Sequence, residues 1–319
     1  MLSRTAANLF WIARYIERAE TNARLLEVGA RNALLPNTGG GYRNEWDSVL
    51  AASGTASAFR DKYGEAVQRN IETHMFFDTD NPSSIASCIT GARENGRIVR
   101  TALTGQVWDA LNTAFQELQD FARTERSRLP LSDLTDWTLR TTSLIRGAGL
   151  ATQLRNDGYD FTNIGHYLER ADSTARLLDV KYYVLLPEVS FVGSGLDNYQ
   201  WRTLLRAMSA QRAFSWVYGG EITASKMVDF FVFNPMSPRS LMSSAEGALS
   251  HLERLARSYG RSTPAQNAAR ALVEQLQRMT IEDVFDEGLH EFLTRIVGEV
   301  DALASVVSGT YLSGVARCD

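Results

Sequence analysis

The sequence predicts an all-α protein, and more narrowly an internally duplicated helical bundle. Three observations carry that expectation. Only seven prolines occur in 319 residues, and they fall where helices would start or stop. Apolar residues recur at spacings of three and four: Leu9, Ile12, Ile16, Ala19, Ala23 and Leu26 form one stripe of a buried or amphipathic helix. The stretch YIERAETNARLLEV from Tyr15 to Val28 returns as YLERADSTARLLDV from Tyr167 to Val180.

The repetition extends beyond these two segments. Trp46 matches Trp201, Phe59 matches Phe214, Tyr63 matches Tyr218 and Pro82 matches Pro238, and LSDLTDWTL from Leu131 matches IEDVFDEGL from Ile281. The offsets are 152, 155, 156 and 150, and the order of the matches is kept. Loop insertions produce such drift. The expectation is one domain over 1–319, made of repeat halves at about 1–154 and 155–319, two copies of a roughly six-helix unit related by a pseudo-twofold axis. No Gly/Ser/Pro-rich linker separates the halves, which favours a shared core.

Taken in order, the first copy reads as helices near 4–34, 43–60, 64–76, 82–101, 104–125 and 131–155. The second reads as helices near 159–186, 197–213, 219–231, 238–258, 264–279 and 282–312. Asn81-Pro82-Ser83-Ser84 supplies an Asn cap followed by a first-turn proline, and Ser237-Pro238 repeats the arrangement. Ser132-Asp133 caps the sixth helix. The run DFFVFN, Asp229 to Asn234, is the best strand candidate and is also compatible with a helix end. Gly39-Gly40-Gly41 lacks the Gly-Lys-Ser/Thr ending of a phosphate loop and reads as a plain loop; Gly193 and Gly195 are equally uninformative.

The chemistry concentrates in the repeated helix. Residues three and four apart share a face, so Glu17, Glu20 and Arg24 form one polar ridge, and Glu169, Asp172 and Arg176 form its copy. Arg18 and Arg170 lie to the side of these ridges. Charges on an otherwise apolar helix must pair with each other or with a ligand. One reading is structural: where the copies cross, Glu17 bridges to Arg170 and Glu169 to Arg18, reciprocally. A second is a pocket in which Arg14, Arg18, Arg24, Arg170 and Arg176 hold an anion such as a carboxylate, a phosphate or a peptide terminus. Either Glu17 or Glu169 then serves as a catalytic general base if the chain is itself an enzyme. A carboxylate-bridged metal site is disfavoured. His166-x-x-Glu169 reverses the required Glu-x-x-His order, and the first copy has Arg14 in place of His166. His74, His251 and His290 show no ligand spacing.

Bulk properties narrow the classes further. Hydrophobic residues make up 44% and charged residues 22%, enough for a buried core and against global disorder. A net charge of −4 argues against nucleic-acid binding driven by bulk charge. Cys88 and Cys318 have no metal or disulfide spacing. No signal-peptide pattern or apolar run of membrane-spanning length is evident, so the expected setting is the cytoplasm, without membrane association.

MLSRTAANLFWIARYIERAETNARLL, LRNDGYDFTNIGHYLERADSTARLLDVKYY, FFDTDNPSSI and FNPMSPRSL resemble the bacterial alpha-E family, named for an all-helical fold and a Glu-Arg motif. The likeness covers essentially the whole chain. It implies an accessory or scaffold subunit working beside a circularly permuted ATP-grasp protein, with a transglutaminase-like protein as a further associate, in amide-bond formation on peptides or amino acids. ATP and Mg would then belong to the ATP-grasp partner, and this chain would carry no cofactor of its own. The alternatives are an independent amidotransfer or hydrolysis enzyme built on the Glu/Arg pocket, and a purely structural interaction module.

Overall fold

The computed structural model describes residues 1–34, 45–185 and 195–313. Pro36, the Gly39-Gly40-Gly41 loop, Pro187, Gly193 and Cys318 lie outside them. Among the described residues there are fifteen α-helices and no strand. The first is α1 (Ser3–Asn32), followed by the short α2 (Glu45–Ser53), α3 (Ala56–Tyr63) and α4 (Gln68–Glu72). Then come α5 (Ile85–Ile98), α6 (Gly105–Arg123) and α7 (Leu131–Thr152). A second long helix, α8 (Asp157–Leu185), leads into α9 (Gly195–Ala207), α10 (Gln211–Tyr218) and α11 (Ala224–Val228). The chain continues through α12 (Leu241–Tyr259), α13 (Pro264–Arg278), α14 (Ile281–Glu287) and α15 (Leu289–Val307).

Three expected helices are broken in two. Gly54, at φ 71°, separates α2 from α3, and Gly288, at φ 95°, separates α14 from α15; the left-handed region stops a helix and glycine enters it without a Cβ clash. Ser209, at φ 55°, sits between α9 and α10. The strand candidate is corrected too. Asp229–Phe233 is a π-helical turn continuing α11, closed by Asn234 N–H donating to Asp229 C=O at 2.8 Å. The same turn follows α4 at Thr73–Phe77, where Asp78 N–H donates to Thr73 C=O at 2.9 Å. In both, wide i→i+5 turns bury bulky side chains: Met75 and Phe76 in one, Phe230, Phe231 and Val232 in the other.

The caps also differ from expectation. Ser84 caps α5, accepting from Ser87 N–H at 3.0 Å, and Ser240 caps α12, accepting from Ser243 N–H at 2.9 Å. Asn81 and Pro82 belong to the turn before α5, where Asn81 Oδ1 accepts from Ser83 N–H. Helix α7 starts at Leu131 behind an extended Pro130 with no side-chain cap, so Ser132 and Asp133 fall inside its first turn.

At the centre α1 and α8 pack on each other, with α5 and α7 against α1 and α12 and α15 against α8. Gly165 makes the crossing possible. A Cβ there would stand 2.3 Å from the Phe10 carbonyl oxygen, so the two backbones touch where only hydrogen fits. Tyr15 lies against Gly91 of α5, and Tyr167 lies against Gly247 of α12. The crossing therefore holds two long helices at short range, and whatever charge they carry meets in the core.

Candidate functional site

Helix α1 buries its polar ridge, and α8 buries Glu169 while Asp172 and Arg176 stay half-buried. The side chains of Glu17, Glu20 and Glu169 are 0%, 2% and 3% exposed, so each carboxylate has lost its water and needs charged hydrogen-bond donors. The crossing supplies them. Arg170 donates from Nε and Nη2 to the two oxygens of Glu17, both at 3.0 Å. Arg18 donates from Nε and Nη2 to the two oxygens of Glu169, at 2.6 and 3.1 Å. Between the pairs, Thr21 Oγ1 donates to Ser173 Oγ at 2.7 Å. Both forks have the bidentate geometry that suits guanidinium and carboxylate.

One turn earlier the two helices differ. Arg14 Nε donates to Glu169 at 2.6 Å, whereas His166 places Nδ1 3.2 Å from Glu17. One turn later each helix carries an i,i+4 pair. Arg24 Nη2 donates to Glu20 at 2.6 Å and Arg176 Nε donates to Asp172 at 2.8 Å. Arg24 also donates to the Ala207 carbonyl.

Two site residues were missed in the sequence. Arg146 of α7 donates to Glu20 and approaches Glu17 to 3.3 Å. Arg239, just before α12, donates to Glu17 at 3.1 Å and to Glu20. For Arg146 a signal existed. It lies four residues after buried Thr142 and eight after buried Thr138, on the face α7 turns inward.

The Glu17/Glu20 end is consequently cation-rich. Its two carboxylates face four guanidinium groups, those of Arg24, Arg146, Arg170 and Arg239, an excess of two positive charges. Burial pushes the Glu17 carboxyl up, but Arg170, His166, Arg239 and Arg146 outweigh it and hold the group well below the usual range. Glu20 is pushed up by burial and by Glu17 and brought down to about 2 by Arg239, Arg146 and Arg24. His166 is lowered to about 4 by burial and by Arg170, against the pull of Glu17, so the imidazole is neutral at pH 7. Arg239 falls to about 10 through burial and its neighbour Arg24 and stays charged. At the other end burial raises Glu169, yet Arg18 and Arg14 bring it below its ordinary value; Asp172 is raised by burial, which Arg176 only partly offsets.

A cleft of about 210 Å³ opens beside the cation-rich end. Its walls are apolar, among them Leu9, Ile12, Val107 and Ile145, and Arg146, His166 and Arg170 line it as well. The carboxylates of Glu17 and Glu20 do not line it; they lie behind the cations. Asn163 and Gln153 add amides to the lining. The remaining histidines pair locally: His251 with Asp160 and His290 with Asp179, both at 2.7 Å, and His74 with Thr55 at 3.1 Å. Cys88 is buried, and burial pushes its thiol up to about 12. Among the described residues no three His, Cys, Asp or Glu side chains group as a metal-binding set, and no helix is long and apolar enough to cross a membrane.

The fold and the site together define an all-helical protein with two Glu-Arg helices crossed in its core. The chain belongs to the Alpha-E family, described as a predicted alpha-helical domain with a conserved ER motif, which matches residues 1–312. It is similar to an uncharacterized protein of Mycobacterium bovis, 23% identical over 342 residues, and to uncharacterized proteins of two Mycobacterium tuberculosis strains at 23% and 22%. Each match covers 97% of this chain and 37% of the relative, so the chain spans little more than a third of the length of these curated relatives. No solved structure matches it.

Proposed function

We propose that the chain is a helical accessory subunit of an amide-ligating system in the cytoplasm, working beside a circularly permuted ATP-grasp protein that carries ATP and Mg. In this reading the chain scaffolds the ligase and presents a peptide or amino-acid substrate to it, and a transglutaminase-like protein acts on the same product. Family membership supports the setting, and the greater length of the relatives leaves room for a fused partner. The observation that carries the accessory role over an independent enzyme is the state of the two Glu-Arg forks. Glu17 and Glu169 are held as permanent anions by bidentate arginines. A general base working near neutrality needs the opposite shift. Exposed apolar side chains at Leu144, Leu150 and Leu154, 61%, 51% and 76% exposed, favour a docking face along and just past α7.

The same reading includes one domain of two related halves about a pseudo-twofold axis. Thr21 and Ser173 occupy equivalent places in the repeat and bond to each other, as twofold-related groups near an axis do. The test is to purify the chain and its host's ATP-grasp protein, mix them, and measure both complex formation by sedimentation and amino-acid-dependent ADP release. The expected outcome is a complex with ADP release above that of the ATP-grasp protein alone. Two separate species at micromolar concentration, with ADP release unchanged, would remove the reading.

A further inference from the structure

We infer that the cleft beside α1, α7 and α8 is a binding site for a small monocarboxylate carrying an apolar tail, with Arg146 as its anion anchor. The inference goes beyond the ligase setting and holds for the isolated chain.

Charge is the first reason. Four guanidinium groups surround two carboxylates at the Glu17/Glu20 end, and buried charge of one sign in excess is costly without a counter-charge. Three of these cations are committed inward. Arg24 divides itself between Glu20 and the Ala207 carbonyl, Arg170 between Glu17 and the Pro238 carbonyl, and Arg239 between Glu17 and Glu20. Arg146 differs. Only its Nη2 bonds to the carboxylates, its side chain keeps 26% exposure, and it lines the cleft. Nε and Nη1 make no bond to these carboxylates; they lie on different edges of the guanidinium, so each offers an occupant a single charge-assisted N–H···O bond, which a carboxylate oxygen accepts.

Shape and polarity are the second reason. The cleft is walled by aliphatic side chains, and its volume of about 210 Å³ exceeds the ~150 Å³ of an apolar cavity that takes benzene. It therefore fits a phenyl-sized or six-carbon tail and little more. His166 narrows the class further. Its Nδ1 is turned to Glu17, so the neutral ring leaves Nε2 as an acceptor toward the cleft. With Arg170 committed to Glu17 and the Pro238 carbonyl, one uncommitted cation and one neutral acceptor suit a single negative charge better than the double charge of a phosphate ester. An aliphatic or aromatic acid fits, and so does an apolar amino acid whose ammonium group reaches Nε2.

The test is calorimetric titration of the purified chain with 3-phenylpropionate, its primary amide and 3-phenylpropylphosphonate. The carboxylate is expected to bind saturably and roughly 10–100-fold tighter than the amide, the worth of one charge-assisted hydrogen bond. Arg146→Gln should lose most of that preference, while Glu17 and Glu20 keep Arg24, Arg170 and Arg239. Gly149→Phe provides a control that leaves the charges alone. Gly149 lines the cleft, and a Cβ there meets only Gln153 at 3.9 Å and Val107 at 4.0 Å. This variant should fold with an unchanged or higher Tm and bind nothing. Equal affinity for acid and amide, tighter binding of the phosphonate, no saturable binding at millimolar concentration, or a Gly149→Phe variant that binds as wild type would each overturn the inference.

Discussion

Glu169 offers a direct measure of what the crossed forks contribute. Arg18→Ala removes hydrogen bonds of 2.6 and 3.1 Å to Glu169 but leaves Arg14 at 2.6 Å. A charge-assisted bond is worth about 1.5–3 kcal/mol. Arg18 is 26% exposed, which places its loss near the lower end, about 2 kcal/mol. Arg14→Ala should cost a similar amount. The double variant is different in kind, because a carboxylate only 3% exposed then has no bonded cation. Its cost should exceed the sum of the singles and reach about 5–7 kcal/mol. With an unfolding entropy of about 2.1 cal/mol/K per residue over 319 residues, each kcal/mol lowers Tm by about 1.5 °C. The singles should therefore melt about 3 °C early and the double about 8–10 °C early. Adding Glu169→Gln to the double removes the stranded charge and should restore at least half of the loss. Calorimetric melting with urea titration reads all four proteins. Additive singles and doubles, with no rescue by glutamine, would refute the account of Glu169 as a desolvated anion held by two arginines.

Acid should act through His166 first. Its folded value of about 4 lies below the ordinary 6.5, so between those pH values the unfolded chain binds a proton that the native chain refuses, and stability falls as pH drops. Glu20 at about 2, with Glu17 and Glu169 also below 4.5, extends the fall from about pH 4.5 downwards. Urea midpoints against pH should show both segments, and His166→Gln should flatten the upper one; an unaltered upper slope would assign it elsewhere. Glu17→Gln leaves Arg170, Arg239 and Arg146 facing a neutral group and should cost about 3–5 kcal/mol, read by urea unfolding. Gly165→Ala drives a Cβ against the Phe10 carbonyl and should cost at least about 2 kcal/mol, whereas Gly298→Ala on α15, with nothing within 4 Å, should stabilise by about 0.5–1 kcal/mol. Equal melting temperatures for these two glycine variants would contradict the crossing geometry.

The all-helical class was legible because it rests on local signals, namely sparse proline and apolar spacing of three and four. The facing of Glu17 and Arg170 was readable because the repeat places identical side chains on identical faces. Arg146 and Arg239 were not assigned to the cluster because they reach Glu20 from 126 and 219 residues away, and no local pattern encodes that distance. The helix breaks at Gly54 and Gly288 carried a signal in the glycine itself, but the apolar stripe ran through them and outweighed it. The π-helical turn at Asp229–Phe233 resembled a strand because a run of aromatic and β-branched residues suits either, and only burial on all sides decides between them.

The reciprocal fork also bears on how the chain is made. Glu17 meets Arg170 across 153 residues, and Arg18 meets Glu169 across 151. At about 5–20 residues per second, the first long helix leaves the ribosome roughly 8–30 s before its partner exists. During that interval α1 has α5 and α7 to pack on and Glu20 has Arg24 and Arg146, but Glu17 lacks Arg170 and Arg239. The amino-terminal half expressed alone thus carries Glu17 without Arg170 and Arg18 without Glu169. Completion of the fold becomes a late event, triggered when the second Glu-Arg segment emerges and closes both forks together.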